Sequence, residues 1–323
     1  MKTIIFTDTH FGVKQNSITW FKSQKRFIEE QLMPYINSLD DDVKLIHLGD
    51  VFDSRSTIST YIATEVVDLF TKLRSMVKEF IIIGGNHDYY SPSTDRIDTL
   101  SLLFDKLDIQ LVTKYLLVDG EDLYLPWYEW LSHSDRLREL VKRYGVKNIY
   151  THADIVTEDP HIPTTTRVYS GHMHTPKIFS NLYNLGSCYY LNFGDSDGDR
   201  GFYMVDEENN INFIKNTSSI KFWRFYNEDI LNLDYSKFKP QDYFELYITQ
   251  ENLQSLEYSK IISDFIDRFK NSWVIPQYSS SINESNDLDI NKRNIEQMIQ
   301  ELVPENLKEK FNKILEHTKT TDE

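Results

Sequence analysis

The sequence predicts a mixed α/β fold whose strands deliver polar side chains to one crevice. Short β-branched runs alternate with amphipathic stretches of helical spacing along the first half of the chain. Polar blocks end these runs, and four of the five blocks follow a predicted strand. The blocks are Asp8-Thr9-His10, Gly49-Asp50, Gly85-Asn86-His87-Asp88, His152 and Gly171-His172-Met173-His174. Because strand ends are where a sheet presents side chains to a ligand, we expect the blocks to meet.

The spacing of apolar residues sets the order of elements. The strands that precede polar blocks are predicted at 3–6, 44–48, 80–83 and 148–150. Helices are predicted at 20–35, 57–77, 98–107 and 133–144. Short strands dominate after residue 109, at 110–113, 116–119, 123–126, 167–170, 181–185, 202–206 and 211–215.

Composition bounds the class of protein. At 323 residues and 40% hydrophobic content, the chain is long enough for one large domain and a smaller one. No apolar run approaches the roughly 20 residues that span a bilayer. The single cysteine, Cys188, excludes an intrachain disulfide and fits a reducing cytoplasm. We interpret the N-terminus as mature sequence, because removing it as a signal peptide would remove a polar block.

The net charge of −15 disfavours broad electrostatic capture of nucleic acid. If the substrate is DNA, we expect metal ions to supply positive charge locally and a partner to help.

Beyond residue 220 the composition changes. A short aromatic stretch at 221–225, strands at 243–249 and 273–275 and a helix at 255–270 predict a small α+β module over 221–278. Residues 279–291 are polar and acidic and are predicted to be a linker. Residues 292–323 predict two short amphipathic helices separated at Pro304, which need a partner surface.

The donor types in the five blocks suit two divalent cations. Carboxylate, imidazole and carboxamide groups together can hold two ions about 3.5–4 Å apart, which bind a phosphate and activate a bridging hydroxide for in-line attack. We expect His87 to face the substrate and donate a proton to the leaving oxygen, with Asp88 orienting its imidazole. Each block alone is more often turn chemistry, but the five together make a purely structural interpretation improbable. His47 lies inside a strand and is interpreted as a core residue.

In this order the blocks resemble the motifs of the calcineurin-like metallophosphoesterase superfamily, over about residues 1–215. The resemblance implies a four-layer αββα sandwich with the metal site at the strand ends. It assigns one metal ion to Asp8, His10, Asp50 and His174. It assigns the other ion to Asp50, Asn86, His152 and His172, with Asp50 bridging. It makes His87 the catalytic histidine that faces the substrate.

Within the superfamily the chain most resembles the DNA double-strand-break nucleases of the SbcD and Mre-eleven type, and among them the recombination endonuclease subunits of T-even-type bacteriophages. The segments that carry this resemblance are 49–55, 125–127, 170–174 and 200–206. It implies Mn²⁺, or alternatively Mg²⁺, and both 3′-to-5′ exonuclease activity on duplex ends and endonuclease activity on single strands. Residues 221–278 would be a DNA-capping domain. Residues 292–323 would be the helical motif that docks on an SMC-like coiled-coil ATPase of the SbcC or Rad-fifty type, within a heterotetramer built on a homodimer.

This sequence departs from archaeal and eukaryotic members at Asp53, where they have a histidine. Lys14, Arg55 and the Tyr89-Tyr90 pair lie near motifs and are candidates for contacts with DNA, although solvated or core positions explain them as well. Likewise, Trp20-Phe21 or residues 58–61 are candidates for a homodimer surface, and core packing is an equal explanation.

Two other functions remain open at this point. A phosphatase or small-molecule phosphodiesterase would use the same metal site in a more closed pocket, and the additional 100 residues or so favour the nuclease over it. A scaffolding subunit with a vestigial site is disfavoured by the presence of all eight expected site residues.

Overall fold

The structure is a computed structural model that describes residues 1–154, 162–196 and 198–277. Its strands, in chain order, are β1 (Lys2–Phe6), β2 (Val43–His47), β3 (Glu79–Ile83), β4 (Tyr89–Ser91), β5 (Thr94–Asp98), β6 (Gln110–Val112), β7 (Leu116–Val118), β8 (Asp122–Leu125), β9 (Asn148–Thr151), β10 (Arg167–Ser170), β11 (Lys177–Phe179), β12 (Leu182–Asn184), β13 (Gly201–Val205), β14 (Ile211–Lys215), β15 (Phe222–Tyr226), β16 (Tyr243–Thr249) and β17 (Ser272–Gln277). Its helices are α1 (Val13–Asn16), α2 (Ile18–Phe27), α3 (Met33–Asn37), α4 (Thr60–Met76), α5 (Thr99–Phe104), α6 (Trp127–Tyr144), α7 (Gln250–Leu253) and α8 (Leu256–Arg268). A π-helical segment, Ile28–Leu32, joins α2 to α3, so the single helix predicted at 20–35 corresponds to one continuous helical segment.

The first sheet has the strand order β14-β13-β1-β2-β3-β6. Strands β1, β2, β3 and β6 are parallel, and β13 runs antiparallel to β1. Because side chains alternate along a strand, Ile4 and Phe6 of β1 pack in the core under the helices, whereas Ile5 points to the opposite face. The parallel strands therefore end at one edge, as their hydrophobic pattern predicted.

The second sheet has the order β11-β12-β10-β9-β8-β7 and packs against the first. Its facing surface carries a ladder of stacked tyrosines, with ring centroids 4.9 Å apart for Tyr124 and Tyr150 and 5.2 Å apart for Tyr150 and Tyr169. These rings share a core with Ile5 and Ile46 of the first sheet. The outer face of the second sheet forms its own core with Val141 of α6. The predicted four-layer αββα sandwich is confirmed.

Two local predictions differ from the structure. Helix α6 begins at Trp127, six residues before the predicted start, because Pro126 sits in the extended N-cap position that precedes it. The hairpin of β4 and β5 was not predicted, since its strands are short and polar. The remaining predicted elements among the described residues match the observed ones to within a few residues.

Residues 222–277 form a small three-stranded sheet, in the order β15-β16-β17, covered by α8. Phe244, Leu246 and Phe265 lie at the centre of its core and are fully buried. The module packs on the sandwich through Trp20 of α2, whose ring stacks on Phe222 at 5.5 Å. Met1–Pro276 make up one compact unit that includes this module.

This packing also bears on the first candidate for a homodimer surface, Trp20 and Phe21. Trp20 and Phe21 are 7% and 1% exposed, so of the two explanations left open for them the structure supports core packing and not a homodimer surface. Tyr61, from the other candidate segment, is 46% exposed.

The predicted linker, residues 279–291, and the predicted partner-binding helices, residues 292–323, lie outside the described residues. In the described ranges, no helix combines the length and apolar character that crossing a bilayer requires.

Candidate metal centre

The strand ends bring the predicted ligands into two groups. In the first group, Asp8 and His10 follow β1 and His174 follows β10. The Nε2 atoms of His10 and His174 lie 3.7 and 3.8 Å from Oδ1 of Asp8 and 3.1 Å from each other. Three potential ligand atoms therefore converge around one point, as the first predicted metal site requires.

The second group joins the ends of β2, β3, β9 and β10. It comprises Asp50, His152 and His172, with Asn86 beside them. Oδ1 of Asn86 lies 3.1 Å from Nε2 of His152 and 2.8 Å from Nδ1 of His172. A neutral amide oxygen between two imidazoles and a carboxylate is a donor set that suits a divalent cation.

Asp50 lies between the two groups. Its Oδ2 is 3.6 Å from Nε2 of His10 and 3.2 Å from Nε2 of His152. One carboxylate therefore faces a histidine from each group, which is the position that a bridging ligand needs.

The backbone of the site is strained at its ligands. Asp8, His10, Asp50 and His172 all have positive φ values, of 53°, 39°, 55° and 77°. Such conformations are uncommon for residues other than glycine, and they cluster at functional sites. Because they are two residues apart, Asp8 and His10 would share a face on a continuing strand. Instead β1 ends at Phe6, and a left-handed loop brings the two side chains together.

Glycines allow the loops to approach closely. A Cβ atom on Gly85 would lie 2.2 Å from the backbone nitrogen of Asp50 and 2.3 Å from its Oδ1. A Cβ atom on Gly171 would lie 2.3 Å from Oγ1 of Thr7 and 3.0 Å from Oδ2 of Asp8. Both glycines therefore stand where a side chain would displace a ligand.

Buried hydrogen bonds orient the ligands. Nδ1 of His152 donates to the carbonyl oxygen of Leu48 at 2.9 Å, which directs Nε2 of that ring at Asp50 and Asn86. From helix α2, the side-chain amide of Gln24 donates to the carbonyl oxygens of Thr9, at 2.8 Å, and His10, at 3.1 Å.

The electrostatics of the pocket favour cations. Burial raises the pKa of Asp8, but pairing with His10 and the charge of His152 outweigh it and leave the pKa at about 2. Burial likewise lowers the pKa of His152, but the Asp50 carboxylate outweighs it and raises the pKa to about 9. Without metal, a proton on His152 therefore offsets part of the charge of the two buried carboxylates. Oδ1 of Asp8 is buried and, within the described part of the chain, accepts no hydrogen bond, so it has a lone pair for a metal ion. The residues present thus fit the predicted pair of divalent ions.

His87 borders the first group. Its ring meets that of His10 edge to face, with centroids 4.9 Å apart, and its Nδ1 donates to the carbonyl oxygen of Asp53. The side chain is only partly buried, and among the described residues its Nε2 atom makes no hydrogen bond.

Asp88 does not orient His87, and this prediction is corrected. Its carboxylate is fully buried and accepts the backbone N–H groups of Asp50 (2.9 Å), Val51 (3.0 Å) and Gly85 (2.8 Å). Burial and the Asp50 charge raise the pKa of Asp88 to about 7. The residue joins the loop of Asp50 to the loop of Gly85 instead of contacting the imidazole.

The structure separates the three candidates for DNA contact. Tyr89 is fully buried and donates its hydroxyl to the carbonyl oxygen of Thr113 at 3.1 Å, so the prediction that it contacts DNA is corrected. Strand alternation exposes its neighbour Tyr90 instead, at 58%. Lys14 is exposed in α1, where its φ of 56° is left-handed, and Arg55 lies over the ring of Trp127 with its guanidinium carbon 5.7 Å from the ring centroid.

Sequence reasoning missed Asp195. Its Oδ1 lies 3.8 Å from Nδ1 of His174, and its Oδ2 accepts the backbone N–H of Leu191 at 3.0 Å. The same short turn carries Phe193, whose ring packs edge to face on Phe222 of the small module at 4.8 Å. The one sequence signal was its position inside the conspicuous Gly194-Asp195 pair, which stands 21 residues after His174.

Comparison with known proteins agrees with this geometry. The sequence profile of the calcineurin-like phosphoesterase family matches residues 1–176, which is more than half of the chain. The chain therefore belongs to the calcineurin-like phosphoesterase family, and it is a metal-dependent phosphoesterase, as predicted. It is similar to exonuclease subunit 1 of Enterobacteria phage T4, with 24% identity over 238 residues that cover 68% of this chain and 69% of that protein.

Proposed function

We propose that this protein is a DNA nuclease that hydrolyses phosphodiester bonds with two divalent cations, Mn²⁺ best and Mg²⁺ second. The observation that carries the proposal is the position of Asp50 between two ligand groups, with His87 at their border. The similarity to a phage exonuclease subunit favours DNA over a small ester.

The proposed ligand sets follow the two groups. Asp8, His10, Asp50 and His174 hold one ion, and Asp50, Asn86, His152 and His172 hold the other. When bound, the two cations orient the scissile phosphate and lower the pKa of the attacking water. The loops that carry the two sets approach closely at Asp50, because Gly49 and Gly85 have no side chains that would hold them apart.

His87 is the proposed general acid. Its Nδ1–H is committed to the Asp53 carbonyl oxygen, so a proton on Nε2 is the one that it can donate to the leaving oxygen. Asp88 acts at a distance, by holding the loops of Asp50 and His87 in place.

The rest of the chain supports a nuclease that works in an assembly. Residues 221–278 are the proposed DNA-capping domain, which is supported by the separate core of the small module and by its contact with Trp20. The similar phage protein is by name one subunit of an exonuclease. We propose that residues 292–323 bind an SMC-like coiled-coil ATPase, within a heterotetramer built on a homodimer, for DNA repair and recombination. A cytoplasmic location fits the single cysteine, Cys188, which is buried.

The experiment compares two kinds of substrate. Labelled duplex and single-stranded DNA and bis(p-nitrophenyl) phosphate are incubated with the Mn²⁺-loaded full chain, alone and with its ATPase partner. We expect 3′-to-5′ degradation of duplex ends and internal cuts in single strands. His87→Gln should lower the rate of DNA cleavage by about 10²- to 10⁴-fold, the usual contribution of a general acid.

Arg138→Gln is a matched control, since Arg138 sits on α6 and pairs with Asp135, which is 99% exposed, at 2.9 Å. Hydrolysis of the small ester without any DNA cleavage, even with the partner present, would overturn the nuclease and leave a phosphatase or small-molecule phosphodiesterase.

A further inference from the structure

Arg55 and Trp127 form a cation–aromatic pair at the rim of the metal centre. The guanidinium carbon of Arg55 lies 5.7 Å from the Trp127 ring centroid, and both side chains are partly exposed. Stacking of this kind fixes the plane of a guanidinium and leaves its N–H edge free.

Both members are tied to loops that carry site residues. The backbone N–H of Trp127 donates to the carbonyl oxygen of Gly84 at 2.9 Å, two residues before Asn86. Arg55 follows Asp53, whose carbonyl oxygen holds the imidazole of His87, by two residues. The pair therefore lies on the side of the site that carries His87.

The loop beneath Arg55 is fixed. Oγ of Ser54 accepts the backbone N–H groups of Ser56, at 3.4 Å, and Thr57, at 3.1 Å, so the loop is folded into a compact turn. Arg55 thus projects from a defined backbone.

A further feature is the charge of Arg55. Across the described part of the chain, Arg55 forms no ion pair with an acidic side chain, although the protein has a net charge of −15. By contrast, Arg74, Arg138 and Arg224 each pair with a carboxylate. A guanidinium that has no carboxylate partner, is pre-oriented by an aromatic ring and sits beside a phosphoesterase centre is suited to bind a phosphate bidentately.

We propose that Arg55, oriented by Trp127, binds a phosphate next to the scissile one on the side of the leaving group. The inference rests on the proposed nuclease function and deepens it. It makes the preferred substrate a polynucleotide with at least two phosphodiesters, in place of an ester with one phosphate. Arg55 is the binding residue, and Trp127 is a positioning residue that acts through it.

The test measures kcat and KM of the Mn²⁺-loaded full chain on a labelled single-stranded oligonucleotide and on bis(p-nitrophenyl) phosphate. Arg55→Gln should raise KM for the oligonucleotide and lower its kcat/KM by about ten- to a hundredfold more than that for the small ester, the usual effect of losing one charge-assisted contact. Arg55→Lys should recover part of the loss, because it restores charge without the planar fork. Trp127→Leu and Trp127→Phe should also lower kcat/KM for the oligonucleotide relative to kcat/KM for the small ester, but by less than Arg55→Gln does.

A second readout does not depend on turnover. Oligonucleotide binding to the His87→Gln variant is measured by fluorescence anisotropy at several salt concentrations. Adding Arg55→Gln should make the slope of log K against log salt shallower by about 0.7, the value for one phosphate contact on a single strand.

Arg138→Gln is the control, because Arg138 stacks on Trp130 of α6 at 5.8 Å and forms a similar cation–aromatic pair in another part of the helix. This variant should leave kcat/KM for the oligonucleotide, relative to that for the small ester, at the wild-type value. An equal loss on both substrates in Arg55→Gln, or a wild-type KM and salt slope, would overturn the proposal while DNA cleavage by the wild type stands. A wild type that cleaves only the small ester would overturn the nuclease function itself, and this subsite with it.

Discussion

The buried carboxylate of Asp88 accepts the backbone N–H of Asp50 at 2.9 Å. The same oxygen accepts the N–H of Gly85 at 2.8 Å, and its partner oxygen accepts that of Val51 at 3.0 Å. One side chain therefore joins the loop of Asp50, the proposed bridging ligand, to the loop of Asn86 and His87.

Replacing Asp88 tests whether its hydrogen bonds hold the two loops together. In Asp88→Asn the amide nitrogen can accept no hydrogen bond, so at least one of the three backbone N–H groups loses its partner. We expect the free energy of unfolding to fall by about 1–3 kcal/mol, as for a buried donor left unsatisfied, and Mn²⁺ affinity to fall with it. Urea unfolding in EDTA and calorimetric metal titration measure the two effects. Asp98→Asn is the control, because Asp98 is an exposed helix cap where asparagine serves equally well. If the two variants have the same free energy of unfolding and the same Mn²⁺ affinity, the role of Asp88 is contradicted.

A methyl group at residue 85 should separate the same two loops. In Gly85→Ala the new Cβ atom would meet the nitrogen and Oδ1 of Asp50 at 2.2 and 2.3 Å, and both are too close for any real contact. Asp50 must move, so we expect the number of Mn²⁺ ions bound per chain to fall below two. Gly120→Asn is the control, since Gly120 has open space around it and a φ of +73° that asparagine tolerates. Metal analysis after gel filtration measures the number of ions. Two Mn²⁺ ions retained in Gly85→Ala would refute the claim that the close approach of Gly85 to Asp50 is needed for metal binding.

The proposed role of His87 predicts a dependence on the leaving group. A general acid matters most when the departing oxygen needs a proton, and p-nitrophenolate needs little help. His87→Gln should therefore lower kcat for a DNA phosphodiester by at least about tenfold more than kcat for bis(p-nitrophenyl) phosphate, with KM little changed. Single-turnover rates on both substrates supply the comparison. Equal losses would point instead to a role in metal binding or folding.

The sequence predicted the sandwich, and it predicted which polar residues meet at its edge, because both depend on local patterns. Alternating apolar residues place strands such as β1, and polar residues such as Asp8 after them indicate the functional edge. Local patterns do not reveal the roles of Asp88 and Asp195, because those roles depend on which distant groups approach the two carboxylates after folding. The error at Tyr89 has another cause. A shift of one residue exchanges the buried and exposed faces of a strand, and nothing in the sequence of this short hairpin fixes that register.

His47 should make stability depend on pH. It is fully buried, with Nδ1 accepting the N–H of Gly49 at 3.1 Å and Nε2 donating to Oγ1 of Thr9 at 3.0 Å, and burial lowers its pKa to about 3. The folded state therefore binds this proton less readily than the unfolded state, whose histidine has a pKa near 6.5. The contribution is complete above about pH 6.5 and is lost, by at most about 1.4 kcal/mol per pH unit, as the pH falls toward 3.

The comparison needs a variant that cannot titrate at this position. In His47→Asn the amide oxygen can still accept from Gly49, so the fold is retained at a cost that does not vary with pH. Urea unfolding in EDTA between pH 4 and 8 should give curves for wild type and variant that run parallel above pH 6.5 and converge below it. Curves that stay parallel over the whole range would refute the assignment.

Asp195 should set the affinity of one metal ion only. Its carboxylate faces Nδ1 of His174 at 3.8 Å, so its negative charge favours the tautomer in which Nδ1 carries the proton and Nε2 is free for the metal. Asp195→Asn should weaken Mn²⁺ binding at the site of Asp8, His10 and His174 by about 10- to 100-fold, and leave the site of Asp50, His152 and His172 close to wild type.

Calorimetric titration of the two Mn²⁺ ions separates the sites, since only one of two binding phases should shift. Asp199→Asn serves as the matched control, because that nearby carboxylate pairs with Lys215 at 2.6 Å and is about half exposed. A uniform weakening of both phases would mean that Asp195 supports the fold of the turn rather than His174. Phe193→Leu gives an independent check, because it weakens the contact with Phe222 and disturbs the turn but keeps the Asp195 carboxylate. It should shift the Mn²⁺ binding phase that Asp195→Asn shifts, but by less.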